Sequence, residues 1–237
     1  MNILAIDTSG PVCGVAVLKN NAIAYEGLAV NRMTHSASLV PMIDEALTRA
    51  EVTLAEMDYL AAVTGPGSFT GVRIGVSTVK GLAHGANKPC IGVNALEALA
   101  YGISLQDALL CPIQDARAGQ VYGAAFWAGD PPRRVLPDAP VKLETFVEQV
   151  LSVSQGKKLC FTGDGLAPYR AKLTELLGER AILPKDPFVL LRPGCAALSA
   201  MAQVSEGKVL DYLSLMPVYL RPASAVMLKD RKTEGKP

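Results

Sequence analysis

A glycine-rich stretch at residues 64–75 limits the folds open to this chain more than any other part of it. The apolar run at residues 60–63 predicts a buried strand, and a helical pattern continues from the glycines to about residue 86. Glycines let the backbone approach a ligand closely, and free N–H groups at a helix start favour an anion. The stretch matches neither a Walker A loop nor a dinucleotide-binding GxGxxG. A phosphate-binding loop and a ligand-free turn are therefore both possible, and the loop taken alone favours the turn.

Composition and charge indicate a compact globular protein. Of the 237 residues, 50% are hydrophobic and 19% are charged, which is typical of a chain that buries a core in one domain or two lobes. No uncharged apolar run approaches the roughly 18–20 residues that span a bilayer. The N-terminus lacks the basic region of a secretion signal, and the five cysteines form no CxxC pair, which favours buried reduced thiols. We therefore expect a cytoplasmic protein without membrane attachment.

The first hundred residues predict the order β-β-β-α-β-α-β. Three strands are expected to form an antiparallel meander, and the first helix has its apolar residues on one face. Ser36 or Ser38 can cap that helix, with Pro41 in its first turn. The predicted strands lie at residues 3–6, 12–18, 22–30, 60–63 and from 88, and the predicted helices at 36–50 and 72–86.

The second half begins again with strands and then alternates strand and helix, which predicts an internal duplication. Its predicted strands lie at residues 109–113, 121–126 and 158–162, its helices at 143–150, 169–177 and 196–204, and a proline-rich loop at 129–140. We expect an α/β protein with an N-terminal lobe at residues 1–105, a C-terminal lobe at 106–222 and a flexible basic tail at 223–237.

The second helix is unusually rich in glycine. Gly71, Gly75, Gly81 and Gly85 should each cost it about 1 kcal/mol relative to alanine if they lie in its interior. Small residues four apart let another backbone approach closely, which would offset this cost. The segment that approaches can belong to a partner helix or to the same domain, and the glycine pattern alone is compatible with both.

Three motifs resemble a known family. Residues 3–9 (ILAIDTS) are similar to its opening strand and turn, residues 35–43 (HSASLVPMI) to its HSxxLxPxI entry to the first helix, and residues 65–75 with 80–83 to its glycine-loop signature. The chain as a whole resembles the actin/Hsp70/sugar-kinase superfold, which pairs two lobes around a cleft. More narrowly, it resembles the TsaB (YeaZ) family. Members of that family are similar to the N-terminal lobe of TsaD, the catalytic protein that makes threonylcarbamoyl-adenosine in tRNA.

The chain departs from TsaD where that enzyme holds its metal. The resemblance places two histidine ligands in a VNHxxxH segment, where this chain has Ala95 and Leu99. Neither side chain has a lone pair to donate. The two histidines of the chain, His35 and His84, are not brought together by anything in the sequence. We therefore expect no bound metal and no tightly bound cofactor.

A nucleotide site in this superfold also needs a second phosphate loop and a glycine-rich adenosine contact from the C-terminal lobe. The candidates are the short glycine turns at residues 163–165 and 193–195, which resemble plain turns. Asp7 resembles the position from which the superfold supports metal-bound phosphate. The remnant of an anion or nucleotide loop is expected at Asp7, Thr8, Ser9, Gly65, Gly67, Ser68, Thr70 and Gly71.

The resemblance implies a non-catalytic scaffold for a TsaD-like enzyme that modifies the tRNA adenosine beside the anticodon. The implied partners are the TsaD-like catalytic subunit and a small TsaE-like ATPase that uses ATP. A homodimer is also possible, and tRNA would be met only through the complex. The expected partner interface is His35, Leu39, Ile43, Leu47, Gly71, Ile74, Gly75 and Thr78.

Two other classes of function are open. A small ATPase or kinase of the same superfold would need an intact phosphate cleft, and a peptidase would need a nucleophile, but Ser68 does not lie in a GxSxG motif. Direct tRNA binding would rest on the basic tail, and the net charge of +1 gives it no further support. The basic residues of the tail are Lys229, Arg231, Lys232 and Lys236.

Overall fold

The computed structural model describes residues 1–30, 34–185 and 189–221, and it contains two five-stranded sheets of the same design. In each sheet the first strand of the lobe lies at the centre, between an antiparallel hairpin partner and a parallel strand. The first sheet has the order β3-β2-β1-β4-β5 and the second the order β10-β9-β6-β7-β8. The strands are β1 (Ile3–Asp7), β2 (Cys13–Lys19), β3 (Ala22–Ala29), β4 (Tyr59–Gly65), β5 (Cys90–Asn94), β6 (Ala108–Asp115), β7 (Gln120–Trp127), β8 (Arg133–Lys142), β9 (Lys158–Thr162) and β10 (Ala181–Ile182).

Six α-helices in the described part of the chain complete the duplication. Each lobe has one helix between its third and fourth strands, one between its fourth and fifth, and one after its fifth. The two-lobed, duplicated α/β fold of actin/Hsp70/sugar-kinase type is thereby confirmed. The helices are α1 (His35–Arg49), α2 (Phe69–Ala86), α3 (Ala95–Tyr101), α4 (Leu143–Val153), α5 (Leu166–Leu177) and α6 (Pro193–Ser205).

The third helix of each lobe packs against the sheet of the other lobe. Helix α6 lies on β1 and β2, helix α3 lies on β6, and the two helices contact each other. One buried cluster therefore joins Ile3 and Ile91 of the first sheet to Leu110 and Phe126 of the second, with Ala197 of α6 between them. Because burial of apolar surface is the main favourable term in folding, the lobes share the interior that stabilises both.

The loop predicted at residues 129–140 is confirmed at residues 129–132 and corrected at residues 133–140, which lie in strand β8. Proline has no N–H to donate to a sheet, so Pro137 and Pro140 indicated a loop. The strand lies at the edge of its sheet, with β7 as its one neighbour, and its register shifts between Gly123 and Ala125. Proline is tolerated in an edge strand and at a bulge, and the position of β8 in the sheet could not be read from local sequence.

The helix ends also differ from the predictions. Helix α2 begins at Phe69 because the Ser68 side chain caps it by accepting the N–H of Gly71. The N-cap of α1 is Thr34, without a side-chain cap, and Pro41 lies inside the helix rather than in its first turn. Helix α3 was not predicted. The basic tail at residues 223–237 lies outside the described residues.

Four of the five free cysteines are buried and Cys195 is half-buried, as expected for thiols that act as small apolar groups. None of the helices in the described ranges is both long enough and apolar enough to cross a bilayer.

The shared interior predicts that the two lobes unfold together. Phe126→Ala removes a fully buried ring and should lower the free energy of unfolding by about 3–5 kcal/mol, whereas Leu176→Ala, on a partly exposed α5 position, should cost much less. In urea, circular dichroism and the fluorescence of Trp127, the single tryptophan, should report one coincident transition. Two separated transitions in the unmodified chain would contradict a common core.

Candidate functional site

A cleft of about 560 Å³ lies between the two lobes, where four turns meet. The first lobe contributes the β1–β2 turn and the glycine loop before α2. The second lobe contributes the corresponding β6–β7 turn and the loop at residues 163–165, so the duplication of the fold also duplicates the walls of the cleft. Residues 193–195, predicted as a turn, are instead the first residues of α6 and do not line the cleft. Pro193 packs beside Gly14, and the N–H of Gly194 donates to Glu26 of β3.

The glycines of the loop are required by close packing inside the first lobe. A Cβ atom at Gly67 would lie 2.3 Å from the carbonyl oxygen of Ser9, and one at Gly71 would lie 2.1 Å from that of Thr8. A Cβ atom at Gly75 would lie 2.5 Å from Thr8 Oγ1. Real Cβ contacts are never so short, so the backbone of the loop and of α2 can reach the β1–β2 turn only where the side chain is missing.

Hydrogen bonds within the lobe hold this contact. The N–H of Ser68 donates to the carbonyl of Ser9 at 2.7 Å, and the Thr8 hydroxyl donates to the carbonyl of Gly71 at 2.7 Å. The N–H of Gly71 donates to Ser68 Oγ at 3.2 Å. Two of the donors that an anion would use are thus engaged by the protein itself. These bonds are those expected of a ligand-free turn, one of the two possibilities that the sequence left open.

Behind the cleft, a small cavity lined by Asp7, Gln114 and Asp164 is rich in acceptors. Asp7 is 1% exposed, and its Oδ1 accepts the N–H and the hydroxyl of Ser9 at 2.8 and 2.7 Å. Burial raises the pKa of Asp7 to about 6, and burial with the nearby Asp115 and Asp7 charges raises the pKa of Asp164 to about 6. Asp7 Oδ2, Gln114 Oε1 and Asp164 Oδ1 have no hydrogen-bond partner among the described residues. Ionised carboxylates at this position disfavour an anion nearby, whereas Arg117 and Arg221 also line the cleft.

The positions of the two TsaD metal ligands lie in the protein interior. Ala95 is fully buried and Leu99 is 4% exposed, both in the cluster that joins the lobes. Asn94 Oδ1 accepts the N–H of Glu97 and so starts α3 at this point. Within the described ranges, no group of three or more His, Cys, Asp or Glu side chains is arranged to hold a metal ion.

The two histidines have separate local roles. His35 Nε2 lies 3.0 Å from the carbonyl oxygen of Gly10, at the start of α1. The ring of His84, near the end of α2, lies 4.7 Å from the ring of Tyr212. The structure therefore uses each histidine to attach a helix end to a neighbouring segment.

Sequence reasoning missed two parts of the cleft. One is the β6–β7 turn with Asp115, whose carboxylate accepts the N–H of Arg117 at 2.9 Å. The duplication could have indicated it, because an aspartate ends the first strand of both lobes, Asp7 in β1 and Asp115 in β6. The other is the segment at residues 218–221, which lines the cleft beside the glycine loop.

The structure divides the predicted partner interface into buried and exposed members. Leu39 and Ile43 are 1% and 5% exposed and pack in the core of the first lobe, and Gly71 and Gly75 face Thr8. The apolar stripe on α1 and these two glycines therefore serve the lobe itself, which corrects their assignment to a partner. His35, Leu47, Ile74 and Thr78 are half-buried and reach the surface.

Gly81 and Gly85, the other two glycines of α2, lie on its outer side, where no part of the described chain packs against them. Val72, Val76, Val79 and Ala83 turn inward. A Cβ atom at Gly81 or Gly85 would meet nothing within 4 Å. These two glycines, with Ile74, Ser77 and Thr78 on the same side of the helix, form what we call the outer α2 face.

The buried carboxyl of Asp7 predicts a pH-dependent stability. Its pKa is higher in the folded chain, about 6, than the ordinary 3.8, so the folded state binds the proton more tightly. Stability from this group is therefore greatest below pH 4 and falls as the pH rises from about 4 to 6. Asp7→Asn removes that penalty and keeps an acceptor for Ser9. It should stabilise the chain by up to about 3 kcal/mol at pH 7.5 and progressively less towards pH 4.

Thermal or urea unfolding of both proteins between pH 4 and 8 measures this effect. Asp44→Asn, at an exposed position on α1, is the control and should leave the pH profile unchanged. An Asp7→Asn protein that is less stable than the unmodified chain at pH 7.5 would show that the ionised carboxylate is favourable in the fold.

The comparisons with known proteins agree with this architecture. The model of the family described as tRNA N6-adenosine threonylcarbamoyltransferase, TsaD, matches residues 29–205. The chain is 30% identical to the tRNA threonylcarbamoyladenosine biosynthesis protein TsaB of Bacillus subtilis, over 95% of this chain and 96% of that protein. It is 34% identical to TsaB of Escherichia coli, over 93% and 95%. The solved structure of YeaZ from Pseudomonas aeruginosa has a TM-score of 0.77 and 27% identity, and the match covers 92% of this chain and 99% of that one. The chain therefore belongs to the TsaB (YeaZ) family.

Proposed function

We propose that this chain is a non-catalytic partner of a TsaD-like threonylcarbamoyltransferase in the modification of the tRNA adenosine beside the anticodon. Relatives that match nearly its whole length are named as tRNA threonylcarbamoyladenosine biosynthesis proteins. The observation that carries the non-catalytic part is the burial of Ala95 and Leu99 in the core, at the positions of the metal ligands of TsaD. Packed apolar side chains leave neither ligands nor space for a metal there.

The cleft supports the same proposal. A phosphoryl-transfer site needs cations and donors around the phosphates. Here Asp115 and Asp164 line the space and Asp7 lies buried behind it. The cations that line it have partners in the protein: Arg117 lies 3.5 Å from the carboxylate of Asp115, and Arg221 donates to the carbonyl of Ala116. The N–H of Ser68 is bonded to Ser9. These contacts argue against the alternative of a small ATPase or kinase.

The outer α2 face is the surface we assign to the partner. Glycine in a helix interior costs about 1 kcal/mol relative to alanine, and contacts within the described chain do not offset that cost at Gly81. Gly85, in the last turn of the helix, likewise has open space beside it within the described chain. A partner helix that packs closely on these glycines would offset that cost. Leu47 and Ile74 are partly exposed apolar side chains at the edge of the core and add apolar area to such a contact.

Further partners follow from the proposal. A TsaE-like ATPase would join the complex and use ATP, so the chain itself would need no tightly bound cofactor. It would meet tRNA only through the complex, and the same face could pair two copies of the chain when the enzyme is absent. We place the protein in the cytoplasm, with the tRNA that the enzyme modifies.

The interface proposal predicts that bulk at Gly81 weakens the complex. Gly81→Leu should lower the affinity for the TsaD-like enzyme by about tenfold or more, because the side chain holds the two helices apart. Ala171→Leu, at an exposed position of α5 in the other lobe, is the matched control and should bind normally. Calorimetry with the purified enzyme gives the affinities, and circular dichroism confirms the fold. Equal affinity for both variants would place the interface elsewhere.

The scaffold proposal predicts stoichiometric activation. Added to a TsaD-like enzyme with TsaE, threonylcarbamoyl-adenylate and tRNA, the chain should raise product formation and saturate near one copy per enzyme, since a scaffold acts by occupancy. Alone it should neither hydrolyse ATP at an enzymatic rate nor transfer the threonylcarbamoyl group. A folded Asp7→Ala variant should still activate; loss of activation with binding intact would favour a working site in this chain.

A further inference from the structure

After α6 the chain follows the first lobe without forming a further helix or strand in the described residues. Leu210 makes an isolated bridge to Cys90, with N–O distances of 2.7 and 2.9 Å. Lys80 Nζ donates to the carbonyls of Leu213 and Leu215 at 3.2 and 3.1 Å, and Leu215 is fully buried. The segment therefore lies along one flank of α2 and runs from the end of that helix towards its start.

At the cleft, the segment becomes attached to the glycine loop. The N–H of Val218 donates to the carbonyl of Thr64 at 2.8 Å. The ring of Tyr219 lies 4.7 Å from the ring of Phe69, and its hydroxyl accepts Arg73 Nε at 2.8 Å. Gly65, with φ +116°, is also needed for this contact, since a Cβ atom there would lie 2.6 Å from the carbonyl oxygen of Val218.

The next residues reach the other lobe. Arg221 Nη1 donates to the carbonyl of Ala116 at 2.6 Å, in the β6–β7 turn. Within four residues, the chain is thus bonded to strand β4 of the first lobe and to the first turn of the second. A hydrogen bond to a charged donor is worth more than a neutral one, and this one spans the cleft.

We propose that residues 218–221 form an internal clasp that holds the lobes closed over the cleft and orders both of the turns that face it. Closure is then supplied by the chain itself and does not depend on a ligand in the cleft. The clasp goes beyond the scaffold proposal, because it concerns the isolated protein. Its partners among the described residues include Thr64, Phe69 and Arg73 on one side and Ala116 on the other.

Hydrogen exchange of the isolated protein tests the clasp. In Arg221→Ala and in Tyr219→Ala, amides at residues 64–71 and at 115–119 should exchange about tenfold faster than in the unmodified chain, because both turns lose a common restraint. Arg133→Ala is the matched control. Arg133 pairs with Trp127, at the opposite end of β7 from the β6–β7 turn, and its loss should leave both regions unchanged.

Arg221→Lys separates the interlobe bond from general packing. Lysine retains a charged donor for the carbonyl of Ala116, so part of the protection at residues 115–119 should return. The proposal is overturned if folded Arg221→Ala and Tyr219→Ala proteins exchange as the unmodified chain does in both turns. It is also overturned if faster exchange is confined to the mutated segment. Neither result would affect the partner proposal, since the enzyme is not present.

Discussion

The contact of Thr8 with Gly71 and Gly75 determines how the first lobe presents its part of the cleft. The missing side chains let α2 lie directly on the β1–β2 turn, and the Thr8 hydroxyl fixes the helix by a bond to Gly71. The glycine loop, the start of α2 and the turn after β1 therefore behave as one unit. In the second lobe a loop glycine packs closely against the first strand, since a Cβ atom at Gly163 would lie 2.0 Å from the carbonyl oxygen of Ile113 in β6. The glycines of the motif thus serve close packing within the first lobe.

The packing of α3 and α6 against the sheet of the opposite lobe fixes how the two lobes sit relative to each other. Helix α6, which follows the last strand of the second lobe, covers β1 and β2 of the first sheet. Helix α3, which follows the last strand of the first lobe, covers β6 of the second. Polar bonds reinforce this arrangement around its edge: Arg134 of β8 bonds Glu97 of α3, and Glu26 of β3 bonds the N–H of Gly194 in α6. Movement of one lobe relative to the other would disturb the common core, so the fold favours a fixed geometry.

Periodicity and turn residues predicted most strands and helices, because those signals are local. The duplication also followed from the order of elements. The predictions that were wrong depended on residues that are near in space but distant in sequence. The proline-containing β8 is a strand because it lies at an edge of its sheet, and Leu39 and Ile43 face the core rather than a partner. The glycines of α2 show the limit most clearly. Gly71 and Gly81 have the same local signal, yet Gly71 contacts Thr8, whereas a Cβ atom at Gly81 would meet no atom of the described residues within 4 Å.

The outer α2 face has one property with a consequence for the kinetics of association. Its residues, Ile74, Ser77, Thr78, Gly81 and Gly85, carry no charge, and the whole chain has a net charge of only +1. Long-range attraction steers proteins together when charged surfaces are complementary, and dissolved salt screens that attraction over a Debye length of about 10 Å at 0.1 M. Association through this face therefore involves little long-range attraction that salt could screen. Its on-rate should therefore stay in the ordinary range for proteins and vary little with ionic strength.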